Sequence, residues 1–321
     1  MKTRFPLLTL ALAFALCACP AHARDGAGAL TFIKAPISTA PQFAQPGGAL
    51  IVDVAESVYN SCACRFHLFL DSPEGRVELT EISRAADPAT ATYRFSAAIP
   101  EGMTQGLYNL TAHKGGNYDT SIKAVFLVEE FPASFAVMHI HDPMVDENTG
   151  MNLELSAELA AKEKPAFILI TGALTASNAP ERMTRFLDIL KKMPVPVFAA
   201  SEDPAQQILS GPLPRAFAFG EQIFLLTPPA DPQPGACAEQ PFEELLKNRE
   251  EDSRKFFASS HSLLTDTSGN TKVLITKPSK SGCVKDIQET VPPAPLNNGA
   301  VRIYSFENGR LAGHKLIPLT R

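Results

Sequence analysis

The sequence predicts two domains in tandem, an antiparallel all-β sandwich followed by an α/β domain, behind a short export leader. Three observations carry that prediction. The first is a run of short alternating segments from Leu30 to Val128, broken at regular spacing by Gly, Pro, Asp and Asn. The second is the change of period after Glu129-Glu130-Phe131-Pro132, where apolar runs begin to alternate with helical spacing. The third is the N-terminus, where Lys2 and Arg4 precede an apolar stretch from Phe5 to Ala18 and then Ala21-His22-Ala23.

Basic start, apolar middle and small residues before the cut are the layout of a secretory signal peptide over 1–23. The apolar stretch falls short of the ~20 residues that span a bilayer, and no other stretch is long and apolar enough, so no transmembrane segment is expected. Soluble export to the periplasm or medium is the preferred reading. A lipoprotein anchored through Cys19 is the second, because Leu16-Cys17-Ala18-Cys19 loosely matches a lipobox. Cleavage leaves 27 basic against 34 acidic residues and no basic cluster, which argues against nucleic acid or an anionic membrane as partner.

Six cysteines become four after cleavage: Cys62, Cys64, Cys237 and Cys283. An even number in an oxidising compartment points to disulfides. The spacing selects no pairing, although a separate partner for each of Cys62 and Cys64 is easier to build than a bridge between them. A metal site would need four converging ligands, and one Cys-x-Cys with two scattered cysteines is poor support.

The first domain, 28–131, has strands expected at Ala49–Val54, Arg65–Leu70, Arg76–Thr80, Thr92–Ser96, Leu107–Ala112 and Ile122–Val128. Their number and spacing suit an immunoglobulin-like sandwich, without the Cys-Trp-Cys signature of antibody domains. The second domain, 134–321, opens with a strand at Phe135–Ile140, a helix at Leu153–Lys164 and a near-continuous apolar strand at Phe167–Ile170. A helix at Pro180–Met193 begins with Pro in its first turn, and a strand follows at Pro196–Ala200. Beyond these, a hairpin is expected at Ala216–Phe219 and Gln222–Thr227, a helix at Phe242–Glu250, and strands at Lys255–Ser259 and Lys272–Thr276. A last hairpin, Val301–Phe306 and Leu311–Ile317, turns at Asn308-Gly309.

Chemistry in an α/β domain sits just past the C-terminal ends of its strands. Those ends read His139-Ile140-His141-Asp142-Pro143-Met144, Thr171-Gly172-Ala173-Leu174-Thr175 and Ala200-Ser201-Glu202-Asp203-Pro204, with Ser259-Ser260-His261 further on. Their order and flanks resemble the calcineurin-like metallophosphoesterases. That family's strands end in Asp-x-His, Gly-Asp and Gly-Asn-His-Asp/Glu, followed by a lone His and a Gly-His-x-His. Pro165 to Gly172 lies close to the second block, and Gly106-Leu107-Tyr108 resembles the immunoglobulin-like domain that precedes some members. The resemblance implies an αββα sandwich and a site of two metal ions that activate water and neutralise phosphate.

Carried over residue by residue, the ligand set is incomplete. Asp142 matches the first Asp and His261 the lone His. Met144 stands for a His, Ala173 for the bridging Asp, Ser201 for the Asn and Glu202 for the catalytic His. The Gly-His-x-His is missing, and Lys277 to Lys280 brings positive charge where it should be. The leading expectation is therefore a non-catalytic binding protein with no cofactor, whose partner is an envelope or extracellular molecule. The alternative is a phosphohydrolase with a rebuilt site that holds a single divalent metal among His139, His141, Asp142, Glu202, Asp203 and His261. Each residue also has a plainer role: Asp142 as a cap on backbone amides, His139 and His141 packed on one strand face, and Glu202 and Asp203 at the start of a helical turn. Nucleophilic catalysis has thin support, since neighbours such as Ser260 and His261 on a strand face opposite ways and no Gly-x-Ser-x-Gly occurs.

Overall fold

The computed structural model describes residues 32–146, 150–201, 203–211, 215–220, 222–226, 255–259, 273–278, 284–291, 296–308 and 310–320. The leader with Cys19, the expected helix at Phe242–Glu250, and Glu202, Cys237, His261 and Cys283 lie outside them.

The first part is built from β1 (Ile33–Ala35), β2 (Gln42–Ala44), β3 (Ala49–Ala55), a single-turn α1 (Glu56–Tyr59), β4 (Phe66–Ser72), β5 (Gly75–Asp87), β6 (Thr92–Ala98), β7 (Gly106–Lys114) and β8 (Asn117–Leu127). Its eight strands hydrogen-bond as one sheet in the order β1-β3-β6-β5-β4-β7-β8-β2. The sheet curls because β5 serves both halves. Leu79 pairs with Leu68 on β4, whereas Thr80 already pairs with Ala98 on β6, and a bulge follows between Glu81 and Ser83. Curling encloses one core, in which Leu50, Val52, Leu70, Phe95 and Leu110 are fully buried. The alternation in β3, with Leu50, Val52 and Val54 inward, is the pattern that makes this side apolar.

The second part begins with β9 (Ser134–His141), α2 (Gly150–Glu163), β10 (Phe167–Thr171), α3 (Pro180–Leu190), β11 (Val197–Ala200) and a short α4 (Gln207–Ser210). It continues with β12 (Arg215–Phe219), β13 (Gln222–Leu226), β14 (Lys255–Ser259), β15 (Val273–Pro278), β16 (Val284–Val291), β17 (Ala300–Glu307) and β18 (Arg310–Pro318). Two five-stranded sheets result, ordered β11-β10-β9-β17-β18 and β12-β13-β14-β15-β16. Strands β9, β10 and β11 run parallel, and β17 lies antiparallel to β9.

One face of the first of these sheets carries the helices. Met138, Ile140, Ile168 and Ile170 pack there against Leu153, Phe186 and Ile189. Gly150 opens α2 where the Arg185 guanidinium of α3 lies 2.7 Å from the place a Cβ would take, so a side chain there would displace that guanidinium. The opposite face meets β12 and β13 through an aromatic layer of Phe167, Phe198, Phe217, Phe219, Phe224 and Phe306.

The first part is fastened to the second by Lys123 Nζ of β8, which donates to the carbonyls of Lys191 and Met193, and at two further places. Phe43 of β2 enters the aromatic layer, with ring centroids 5.3 Å from Phe198, 5.7 Å from Phe167 and 4.9 Å from Phe219. The turn before β2 meets the edge of β11, where Ala199 N donates to Thr39 O at 2.8 Å and the Thr39 hydroxyl donates to Leu209 O. Arg215 locks this second junction. Its buried guanidinium donates to Ala199 O at 2.6 Å, to Ser210 O and, at 3.5 Å, to Thr39 O. Among the described residues no helix is long and apolar enough to cross a membrane.

Several expected elements need their bounds corrected. The strand expected at Arg76–Thr80 runs on to Asp87, and the helix expected from Leu153 already begins at Gly150. Strands β1, β2 and β16 add to those expected. Cys62 and Cys64 lie in the loop before β4.

Candidate functional site

The parallel register sets the candidate site. Thr171 is paired with His141 across β10 and β9, and Thr171 with Ala200 across β10 and β11. The three strands therefore end level, and their following residues converge. His139 and His141, two apart on β9, face the inter-sheet side together with Thr171. The Thr171 hydroxyl stands 2.8 Å from His139 Nε2 and 3.1 Å from His141 Nδ1. On its other side His141 Nε2 lies 3.1 Å from Asp142 Oδ2.

Asp142 turns the chain out of the strand at φ 44°, a left-handed conformation that Asp tolerates better than most residues. In that conformation its Oδ1 accepts the Ala173 amide at 2.8 Å. Met144 follows at φ 43° with a partly exposed side chain, and its amide donates to Ala173 O at 2.9 Å. Val145 and Thr175 then form a parallel bridge. The loops after β9 and β10 are thus zipped together along Ala173.

The end of β11 is tied in by Gln206. Its Oε1 accepts the Leu174 amide at 2.8 Å and the Ser201 hydroxyl at 3.2 Å, and its Nε2 donates to Thr175 O at 3.0 Å. Asp203 caps the turn into α4, accepting Ala205 N at 2.9 Å on Oδ1 and the Asn178 amide group at 3.0 Å on Oδ2. His139, His141, Thr171, Ser201 and Gln206 are all buried.

Electrostatics keep the His139 ring neutral. Burial, reinforced by His141 and by the Arg302 cation and only partly opposed by Asp142, pushes the His139 pKa down to about 3. Arg302 sits beside His139 in the register of β17 and β9. The same cation would repel a metal ion brought to these imidazoles.

The structure therefore brings together His139, His141, Asp142, Met144, Ala173, Ser201 and Asp203 of the expected positions. Glu202 and His261 lie outside the described residues. Thr171, Gln206 and Arg302 were not singled out from the sequence. Thr171 could have been found from strand register, since a hydroxyl level with His141 on a neighbouring strand must meet it. Gln206 carries no such signal, because its reach depends on how α4 folds back.

Tested for the metals that the resemblance implies, the described residues do not fit. Asp142 is committed to an amide and an imidazole, Ala173 offers only a methyl group, and Met144 is directed to the surface side of its turn. Among the described residues no group of three or more His, Cys, Asp or Glu is arranged to hold a metal ion. The hydroxyl–imidazole–carboxylate row Thr171–His141–Asp142 has the connectivity of a nucleophile relay. Thr171 is nevertheless fully buried, so no substrate carbonyl or phosphorus reaches its oxygen.

No protein-family profile and no curated protein matches the chain. Among solved structures it is similar to a purple acid phosphatase from yellow lupin (Lupinus luteus) seeds, at TM-score 0.43 and 12% identity over 86% of this chain and 73% of that one. Slighter similarities are to an amylomaltase from Corynebacterium glutamicum (TM-score 0.21, 14% identity, 44% of this chain and 23% of that one). A third is to a putative alpha-galactosidase from Bacteroides fragilis (TM-score 0.17, 11% identity, 49% and 35%). The first is a distant likeness to a phosphoesterase.

Proposed function

We propose that this chain is an exported phosphoesterase-like scaffold that works by binding a partner rather than by hydrolysing phosphate esters. In this reading residues 28–131 are an immunoglobulin-like domain and 134–321 a divergent calcineurin-like domain. Its partner is an envelope or extracellular molecule. The observation that carries the reading is the Asp142 carboxylate, which is spent on the Ala173 amide and on His141 where a dinuclear site would need it as a free ligand. Breaking those bonds would leave the Ala173 amide without its acceptor, at a cost of ~1–3 kcal/mol.

Native mass spectrometry of the mature chain, purified from its producing cell and incubated with manganese, zinc or iron, tests this directly. The expected mass is that of a chain starting just after Ala23 with no bound metal, and phosphomonoesterase and diesterase assays should stay at background. One tightly held metal with hydrolysis above background would establish the single-metal hydrolase instead. A lipid adduct on Cys19 would replace soluble export by an anchored form.

A further inference from the structure

We propose that Cys62 and Cys64 form a dithiol site for thiol–disulfide exchange, with a disulfide-bonded polypeptide as substrate. This site lies in the first part of the chain, between α1 and β4, and does not depend on the phosphoesterase reading.

The two sulfurs occupy one small space. Measured from the place where a Cβ on Gly115 would sit, Cys62 Sγ is 3.0 Å away and Cys64 Sγ 3.1 Å. Gly115 takes φ 61° in the tight turn between β7 and β8, so glycine serves there twice. It makes the turn, and by lacking a side chain it leaves the gap that both thiols fill. Ala63 between them is exposed, and both cysteines are partly exposed on the loop between α1 and β4. A pair packed this way can close on itself without moving a strand.

The surroundings activate one sulfur. The Cys62 thiol titrates below its ordinary value, mainly because the Cys64 side chain and backbone hydrogen-bond to it, with the Lys114 ammonium adding attraction. Lys114 is almost fully buried, and the Tyr59 ring holds its Nζ 3.7 Å from the ring centre. Cys62 is therefore the attacking thiolate and Cys64 the resolving thiol.

A groove of about 680 Å³ begins at Cys64 and is lined by Arg65, Phe66, Glu78, Arg84 and Phe95 among others. The aromatic rings and the charges of both signs in its lining suit an extended peptide better than a compact anion. The Arg84 guanidinium lies over the Tyr59 ring at 5.0 Å, which fixes one wall.

The Cys62 thiolate attacks one sulfur of the substrate disulfide, an S–S bond breaks and a substrate thiolate leaves. The Cys64 thiolate then attacks Cys62 sulfur, the mixed disulfide breaks and the second substrate thiolate leaves. Two electrons pass from the dithiol to the substrate, and the Cys62–Cys64 disulfide remains. The reverse sequence oxidises a substrate dithiol.

The test uses the whole mature chain, reduced and then mixed with a small aromatic disulfide that releases a coloured thiolate. Peptide mapping after acid quench reads residues 62 and 64. In the wild type the peptide that contains both should lose two hydrogens and retain no probe. Cys64→Ser should keep one probe half on Cys62, and Cys62→Ser should react at least ten-fold more slowly at position 64. Thermal melts that match the wild type show that both variants are folded. A cross-link from Cys62 or Cys64 to Cys237 or Cys283 overturns the proposal. So does a Cys62→Ser variant that reacts as fast as the wild type, or a wild-type chain that retains the probe.

Discussion

At the scale of single residues, His139 sets the acid response of the molecule. Its ring is buried on β9 and its pKa lies at about 3, with burial as the main cause. Above about pH 6.5 folded and unfolded chains both keep the ring neutral. Below that, the unfolded chain takes up a proton that the folded chain declines until about pH 3. The unfolded state binds more protons across this window, so stability falls as pH drops, by up to ~1.4 kcal/mol per pH unit from this residue alone. Urea midpoints measured between pH 7 and pH 4 should fall more steeply for the wild type than for His139→Gln. Parallel slopes would show that another group governs the acid side. The two histidines and Asp142 were legible as a cluster because they crowd one strand end. The lowered pKa of His139 and the hydrogen bonds of both rings to Thr171 were not, since they depend on Thr171 from the next strand and Arg302 from β17, which only the register brings close.

At the scale of elements, legibility followed burial and length. Strand β10 is buried at every position and reads as an unbroken apolar run. The second half of β5, Glu81 to Ala86, is exposed throughout and has no alternation to read, so its strand is set by pairing with β6 alone. Strands β1 and β2 have three residues each, too few for a period to show. The first residue of β12 was equally silent, although Arg215 is the clamp on β11, α4 and the Thr39 turn. Burial lowers its pKa to about 10, which still leaves it charged at neutral pH. A planar fork can serve several carbonyls at once, whereas an ammonium is compact and more strongly hydrated. Arg215→Lys should therefore cost about 2 kcal/mol, from lost charge-assisted hydrogen bonds and a larger desolvation penalty. Chemical denaturation gives the value, and a change under about 0.5 kcal/mol would remove Arg215 from this role.

At the scale of the whole molecule, the question is whether the two parts unfold together. Phe43 leaves its own sheet to join rings from β10, β11 and β12, while Phe126 and Phe131 pack beside it. Burying such a ring contributes ~1.5–3 kcal/mol from area alone, and edge-to-face contacts add to that. Coupling of this size across one junction is enough to make two modules melt as one. Calorimetry of the wild type should show one transition. Phe43→Ala, at a cost of ~3 kcal/mol, should split it into two or broaden it clearly. One sharp, merely shifted transition in the variant would place the coupling at the Thr39–Arg215 junction instead.

The Thr39 junction also has a consequence in time. Thr39 and the Leu209 carbonyl it meets are 170 residues apart in the chain. At a synthesis rate of ~5–20 residues per second, Thr39 emerges roughly 10–30 s before its docking surface exists. For that interval Phe43 and its neighbours form a sticky, half-finished edge on the nascent chain. Whatever keeps this sheet unfolded or shielded until synthesis is complete also governs the yield of native protein.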